Sequence, residues 1–192
     1  VYTFNPDYIL IWIATDKIYE EFLEMDITGK LKFAELYAQK VEYYWSLIIN
    51  KSKAKIIQLN FTEINDKALG NYSCKVESTF CYQVRKLNYL LQEAMSKNGN
   101  VYPVDLLSLQ LQIGTKELYY APLYYNAKMC VDMKALPYVA KAVIDVLLAL
   151  TGKIKKCIVC DLDNTLWGGV IGDDGLGGIE IGELGRGHAF TN

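Results

Sequence analysis

The 192-residue sequence has no apolar run approaching the ~20 residues that cross a bilayer; Ile9 to Ala14 and Val143 to Leu150 both fall short. No membrane span is expected. A basic, apolar leader ending in small residues is also missing, and Val1 in place of Met reads as a start inside a longer protein. Charge of one sign is lacking too. Twenty basic and twenty-two acidic residues, a formal net charge of −2, lie spread along the chain without a stripe that could neutralise a phosphate backbone. That excludes nucleic acid as an expected partner. Histidine is reduced to His188, a lone residue read as solvated and not as a metal ligand. The cysteines number five, an odd count without a disulfide-framework spacing, which suits a reducing cytosol and gives a cytoplasmic expectation.

What is present is an ordinary globular composition, 52% hydrophobic and 22% charged. Tyr8 to Ile13 (YILIWI) is a continuous apolar run after Asn5-Pro6-Asp7, which predicts a strand buried on both faces of a parallel sheet. From Leu31 to Ile49, Phe33, Tyr37, Val41, Tyr44 and Ile48 recur every three or four positions, which predicts an amphipathic helix with its aromatic stripe in the core. Lys55 to Asn60 reads as a second strand. Phe80, Val84, Leu87, Leu91 and Met95 mark a second helix stopped by Asn98-Gly99-Asn100, and Val101 to Asp105 reads as a third strand. A tyrosine-rich irregular stretch, Leu118 to Tyr125, leads to a last helix from about Leu136 to Leu150, closed by Thr151-Gly152. Strands alternating with helices imply a parallel sheet covered on both faces, a three-layer α/β/α sandwich.

Composition shifts after Gly152. Five of the fourteen glycines lie at or before that residue and nine lie from Gly168 onward, which predicts a boundary between residues 1–152 and 153–192. Lys155-Lys156 leads into Cys157-Ile158-Val159-Cys160, read as a short strand that delivers Asp161 and opens a second domain. The glycine-rich residues 168 to 187 admit two readings, a phosphate cradle or a flexible connection.

The chemistry is carried by Asp161-Leu162-Asp163-Asn164-Thr165. On an extended segment residues 161 and 163 share one side, so two carboxylates converge at the end of a strand, where ligands of open α/β sheets gather. Two such carboxylates repel unless a cation such as Mg2+ neutralises them. One can attack phosphorus and hold it as an acyl phosphate while the other protonates the leaving group and then takes a proton from water. The plainer reading of the same residues is a helix cap or Asx turn, since Asp, Asn and Thr all form turns after strands.

The longer run Val159-Cys160-Asp161-Leu162-Asp163-Asn164-Thr165-Leu166-Trp167-Gly168-Gly169-Val170-Ile171-Gly172-Asp173-Asp174-Gly175 closely resembles the first motif of the FkbH-like branch of the haloacid dehalogenase superfamily. The resemblance implies that Asp161 is the nucleophile and a Mg2+ ligand, that Asp163 is the general acid/base with its backbone carbonyl on the metal, and that Thr165 is a hydrogen-bonding support. It also implies a truncated Rossmannoid phosphatase domain over 153–192. The activity implied is removal of phosphate and transfer of a glyceryl unit from a bisphosphorylated glycerate to an acyl carrier protein, in polyketide-type pathways.

The first 152 residues loosely resemble the SGNH-hydrolase-like domain that precedes the phosphatase domain in FkbH-like proteins, a fold of the SGNH/flavodoxin-like kind. The serine block of such a domain would fall before Val1. Where SGNH esterases carry Gly-x-Asn-Asp, this chain has Ala14-Thr15-Asp16-Lys17, and where they carry Asp-x-x-His it has Asn126-Ala127-Lys128-Met129-Cys130. Oxyanion asparagine and base are both missing, so a serine here would be a poor nucleophile.

Three readings follow: a phosphatase and glyceryl transferase, a non-enzymatic docking or substrate-presenting scaffold, and, least favoured, a surviving serine ester hydrolase. Cys157 and Cys160 point to opposite faces of the expected strand and read as small buried hydrophobes; the sharper alternative makes Cys157 the thioester carrier, beside Lys156. Cys74, Cys81 and Cys130 read as structural. Lys156 to Asp161 is expected to pair with a sheet edge, either of its own body or of a neighbouring molecule, the latter giving a homodimer by exchange.

Overall fold

The computed structural model describes residues 2–64, 66 and 68–191, and the chain divides into two compact units, residues 1–152 and 153–192. In the first unit three strands, β1 (Tyr8–Ile11), β2 (Lys55–Leu59) and β3 (Val101–Val104), form a parallel sheet in the order β1-β2-β3. Tyr8 stands opposite Lys55 and Ile56 opposite Val101. Helices α1 (Thr15–Glu24), α2 (Ile27–Leu31) and α3 (Phe33–Lys51) lie between β1 and β2, and α4 (Phe80–Ser96) lies between β2 and β3. Then follow α5 (Leu106–Ile113), α6 (Thr115–Leu118), α7 (Ala121–Ala127) and α8 (Leu136–Leu150).

Because strand side chains alternate, the sheet feeds two cores. Ile56 and Val101 join Phe22, Phe33, Val41, Phe80 and Leu87 on the side covered by α1, α3 and α4. Ile57, Leu59 and Val104 join Leu106, Leu109, Leu118 and Val139 on the side covered by α5, α6 and α8. Successive crossovers of one hand, running one way across the sheet, put α3 and α4 on the same face. The three-layer α/β/α fold is therefore present, with a small parallel sheet.

Two amides on the side of the first core hold backbone and indole groups. Gln58, buried in the central strand, accepts from Trp45 Nε1 at 2.9 Å and donates to the Leu59 carbonyl at 2.8 Å. The Asn88 amide brackets the backbone of Phe61, accepting from its N–H at 2.9 Å and donating to its carbonyl at 2.7 Å. Rings of Phe22, Phe33 and Phe80 meet at centroid distances of 5.2 to 6.0 Å, mostly tilted or edge-on, as aromatic quadrupoles prefer.

Four expectations are corrected here. β1 is an edge strand, half-buried with Leu10 48% exposed, because among the described residues only β2 pairs with it. On α3 Phe33 and Tyr37 are buried as expected, but Trp45 is buried in place of Tyr44, since the helical stripe drifts with 3.6 residues per turn and Gln58 offers the indole an acceptor. The stretch around Leu118–Tyr125 is helical, as α6 and α7. The Cys157–Cys160 strand does not form: Ile158 and Val159 are 83% and 94% exposed, and both thiols face solvent. A strand exists through its ladder, and among the described residues Lys156 to Asp161 has no pairing partner.

The second unit is held by turns. Gly168 and Glu180 form an antiparallel bridge through bonds of 2.9 and 2.7 Å, and a short helix α9 (Ile171–Asp174) folds back so that Asp174 accepts from the Val170 N–H at 2.8 Å. A Cβ on Gly178 would overlap the Asp174 backbone, and one on Gly187 would stand 2.8 Å from the Gly182 nitrogen. These glycines serve close packing, which a merely flexible connection would not require.

Candidate functional site

The acidic motif sits in the second unit, on a loop built around Asp163. Its Oδ1 accepts from Trp167 Nε1 at 3.0 Å and from the Ile171 N–H at 3.2 Å. Asn164, at φ +53°, closes the same loop: its Oδ1 accepts from the Gly169 N–H at 2.9 Å and its own N–H donates to the Gly169 carbonyl at 3.2 Å. Left-handed backbone is tolerated by Asn through such local bonding. The Trp-Gly-Gly continuation thus has a local task, since the indole and the turn at Gly169 fix the Asp163 carboxylate.

Asp161 is exposed and accepts from the Leu162 N–H at 2.8 Å; Thr165 is exposed, its N–H donating to the Leu162 carbonyl at 3.3 Å. Among the described residues no group of three or more His, Cys, Asp or Glu side chains gathers as a metal site. Each aspartate has a second carboxylate oxygen, and hard oxygen donors from one or two carboxylates, completed by water, are what Mg2+ takes. The donor chemistry fits that ion.

An open hollow of about 590 Å3 lies beside this loop, lined by Asn164, Gly169, Asp174, Glu180, Arg186 and Phe190. A phosphate cradle needs outward N–H groups. Here the Gly168, Gly169, Val170 and Gly178 N–H groups already donate within the unit, and two carboxylates line the wall. The cradle reading is not supported.

The first unit holds a second constellation, at the carboxyl ends of its strands. The Thr15 hydroxyl lies 2.9 Å from that of Thr62 and accepts from the Thr62 N–H at 3.0 Å, joining the exits of β1 and β2. Gln110 joins β2 to α5 and α6: it accepts from the Glu63 N–H and donates to the Glu63 carbonyl, both at 2.8 Å, and to Thr115 at 3.1 Å. Between them is a cavity of about 290 Å3 lined by Asp16, Thr62, Ile64, Leu118, Tyr119, Tyr125 and Cys130. The segments around Asp16 and Cys130 therefore share one cavity, to which they contribute a carboxyl group and a thiol. Cys130, which reads as structural in the sequence, lines this cavity with Asp16.

Burial pushes the Asp16 carboxyl above its ordinary value, against the lowering effect of its hydrogen bond with Tyr119. Burial and the Asp16 charge push Tyr119 up to about 12, and burial raises the Cys130 thiol. The folded state holds the Asp16 proton more tightly than the unfolded chain does. The stabilisation this confers is complete below the ordinary aspartate value and is lost as pH rises through the raised one. Melting temperature is thus expected to decline over that window in the parent chain and to follow a flatter course in Asp16→Asn. Parallel melting curves for the two chains across the window would contradict this.

A parallel α/β sandwich with a cavity at its strand ends, followed by a turn-rich unit carrying Asp-x-Asp-x-Thr, is the class of protein that this geometry defines. The family model described as FkbH, N-terminal domain, matches residues 1–148, and the chain belongs to that family. A solved structure, the N-terminal part of the protein BF1531 from Bacteroides fragilis containing a phosphatase domain and complexed with Mg, is similar at 35% identity and a TM-score of 0.89. The likeness covers 99% of this chain and 50% of that one, so the chain spans half the length of this solved relative. None of the curated proteins matches. No helix among the described residues is long and apolar enough to cross a membrane.

Proposed function

We propose that the chain is the leading part of an FkbH-like enzyme of the haloacid dehalogenase type, which removes phosphate from a phosphorylated glycerate and passes the glyceryl unit to an acyl carrier protein. The observation that carries this reading is the order along the chain: an FkbH N-terminal domain over residues 1–148, followed directly by Asp161-x-Asp163-x-Thr165.

In this reading the Asp161 carboxylate attacks phosphorus, forming an acyl phosphate as the bond to the leaving oxygen breaks. Asp163 gives that oxygen a proton, then takes one from the water that hydrolyses the acyl phosphate. Its orientation is set by Trp167 Nε1 and the Ile171 N–H. Mg2+, when bound by Asp161 and Asp163, would neutralise their mutual repulsion and polarise the phosphoryl oxygens. The solved relative complexed with Mg supports this choice of ion. The acyl relay is assigned to a thiol, with Cys157 the candidate because it is exposed beside Lys156.

The scaffold reading keeps one supporting observation: among the residues of the body there is no histidine base, and the cavity presents Asp16, Tyr119 and Cys130 instead. The two readings differ in where turnover resides. A chain of residues 1–192 with Mg2+ is expected to release no phosphate above background from phosphoglycerates, because two carboxylates supply little of the electrostatic stabilisation that dominates phosphoryl transfer. The full-length protein is expected to release it and to show, by mass spectrometry, a glyceryl or phosphoglyceryl adduct on a cysteine. A full-length protein that neither releases phosphate nor carries an adduct would leave the scaffold reading standing and remove the enzymatic one.

A further inference from the structure

Two thiols that read as structural in the sequence face each other across a short loop. Cys74 lies in a 3-10 turn (Gly70–Lys75), and Cys81 is the second residue of α4; their sulfurs are 3.8 Å apart. Cys74 is exposed and Cys81 is buried. The loop between them is pinned at both ends. The Thr79 hydroxyl reaches the Ser73 carbonyl at 2.6 Å and the Val76 carbonyl at 2.8 Å, and Gln83 Nε2 donates to the Glu77 carbonyl at 2.7 Å.

A guanidinium completes the group. Arg85 Nη1 donates to the Cys74 sulfur at 3.2 Å, and Glu63 holds the arginine in place through bonds of 2.6 Å to Nε and 2.8 Å to Nη2. Cys81, Arg85 and Glu63 also line an open cleft of about 520 Å3 with Leu107 and Leu111, wide enough to admit a small oxidant. No role in phosphoryl transfer accounts for this arrangement.

We propose that Cys74 and Cys81 form a dithiol site that reacts with a hydroperoxide, Cys74 attacking first and Cys81 resolving the product into a disulfide. The Cys74 sulfur donates an electron pair to the terminal peroxide oxygen, the O–O bond breaks, and the departing oxygen leaves as water or an alcohol after taking a proton. The product is a sulfenic acid on Cys74. The Cys81 sulfur then attacks the Cys74 sulfur, the S–O bond breaks, and hydroxide leaves with the Cys81 proton as water. Two thiols have lost two electrons to one peroxide. Charge developing on Cys74 meets a donor already in place at Arg85. Burial raises the Cys81 thiol, as suits the partner that reacts second. Closing the sulfurs from 3.8 Å to about 2.05 Å falls to the exposed turn that bears Cys74, since Cys81 is anchored in a helix. The crosslink would take the Cys74 sulfur off Arg85 and reshape the cleft wall. In a reducing compartment such a bond is transient.

The test treats the full chain with equimolar hydrogen peroxide, then alkylates, digests without reductant and maps peptides by mass spectrometry. The expected product is a Cys74–Cys81 crosslinked peptide. In Cys81→Ser the reaction is expected to stop at a sulfenic acid that dimedone captures on Cys74. Arg85→Lys is expected to slow Cys74 oxidation about tenfold, as for loss of one hydrogen bond to a charged group. Oxidation confined to Cys130, Cys157 or Cys160, with Cys74 and Cys81 still alkylatable in the parent chain, overturns the proposal whatever the variants do. An unchanged rate in Arg85→Lys overturns the role given to the guanidinium.

Discussion

Phosphate release by the full-length protein is expected to fall by about 10⁴-fold or more in Asp161→Asn, the scale seen when a member of a covalent catalytic set is removed. The amide is isosteric, carries no charge and attacks phosphorus poorly, so the acyl phosphate cannot form. Asp161 makes one local bond, to the Leu162 N–H, which an asparagine carbonyl oxygen also accepts. Folding should therefore be nearly unaffected, and a lost activity would report chemistry. Asp163→Asn should cost less, about 10²- to 10⁴-fold, as for a general acid/base. Its oxygen can still accept from Trp167 and Ile171, which separates proton transfer from loop geometry. Steady-state phosphate release over a range of Mg2+ concentrations measures both. Parent-like turnover in Asp161→Asn would remove that residue from the chemistry and send the search for a nucleophile elsewhere.

Gln83→Leu is expected to destabilise the chain by roughly 2–5 kcal/mol, among the larger effects available to a single residue. Gln83 is fully buried on α4, and its amide accepts from the Ala34 N–H at 2.9 Å while donating to the carbonyls of Glu77 at 2.7 Å and Leu31 at 3.3 Å. Leucine keeps the volume and removes every partner, leaving an N–H and a carbonyl at the α2–α3 junction and the Glu77 carbonyl without their bonds. A buried orphan group costs far more than a made bond returns. Urea unfolding of the parent and variant chains reads the difference; a loss under about 1 kcal/mol would mean that water reaches these groups. The Glu77 carbonyl lies within the Cys74–Cys81 loop, so peroxide crosslinking should also become less selective in this variant.

How far the fold was legible depends on how local the signal is. α4 repeats Phe80, Val84, Leu87, Leu91 and Met95 at helical spacing, and all five are buried, because one core face spans the whole helix. β2 was legible for a related reason: as the central strand it is buried on both faces, so its apolar run is unambiguous. β1 carries an equally apolar run and lies at the edge, since hydropathy records what a strand could bury and says nothing of how many neighbours it has. The same limit explains residues 153–161. Cys157-Ile158-Val159-Cys160 has the side chains of a strand, yet strand geometry needs a partner's N–H and C=O groups, and composition cannot supply them.

The candidate sites divide along the same line. The acidic motif is contiguous, so the Asp163–Trp167 bond spans four residues and its pieces stand side by side in the sequence. The cavity of the body draws Asp16, Thr62, Tyr119 and Cys130 from the exits of different strands and helices, and the thiol pair depends on a turn folding over the start of α4 beneath an arginine held by Glu63.

The sequence by itself determined the parallel α/β class, the helices whose apolar period matches one core, and the contiguous Asp-x-Asp-x-Thr motif, because each is written in residues within a few turns of one another. Tertiary structure alone decided that β1 is an edge, that Trp45 seals against Gln58, that the 157–160 segment forms no strand, and that Asp16 and Cys130 line one cavity. Those outcomes rest on which elements become neighbours, and contacts between elements leave no local period to read.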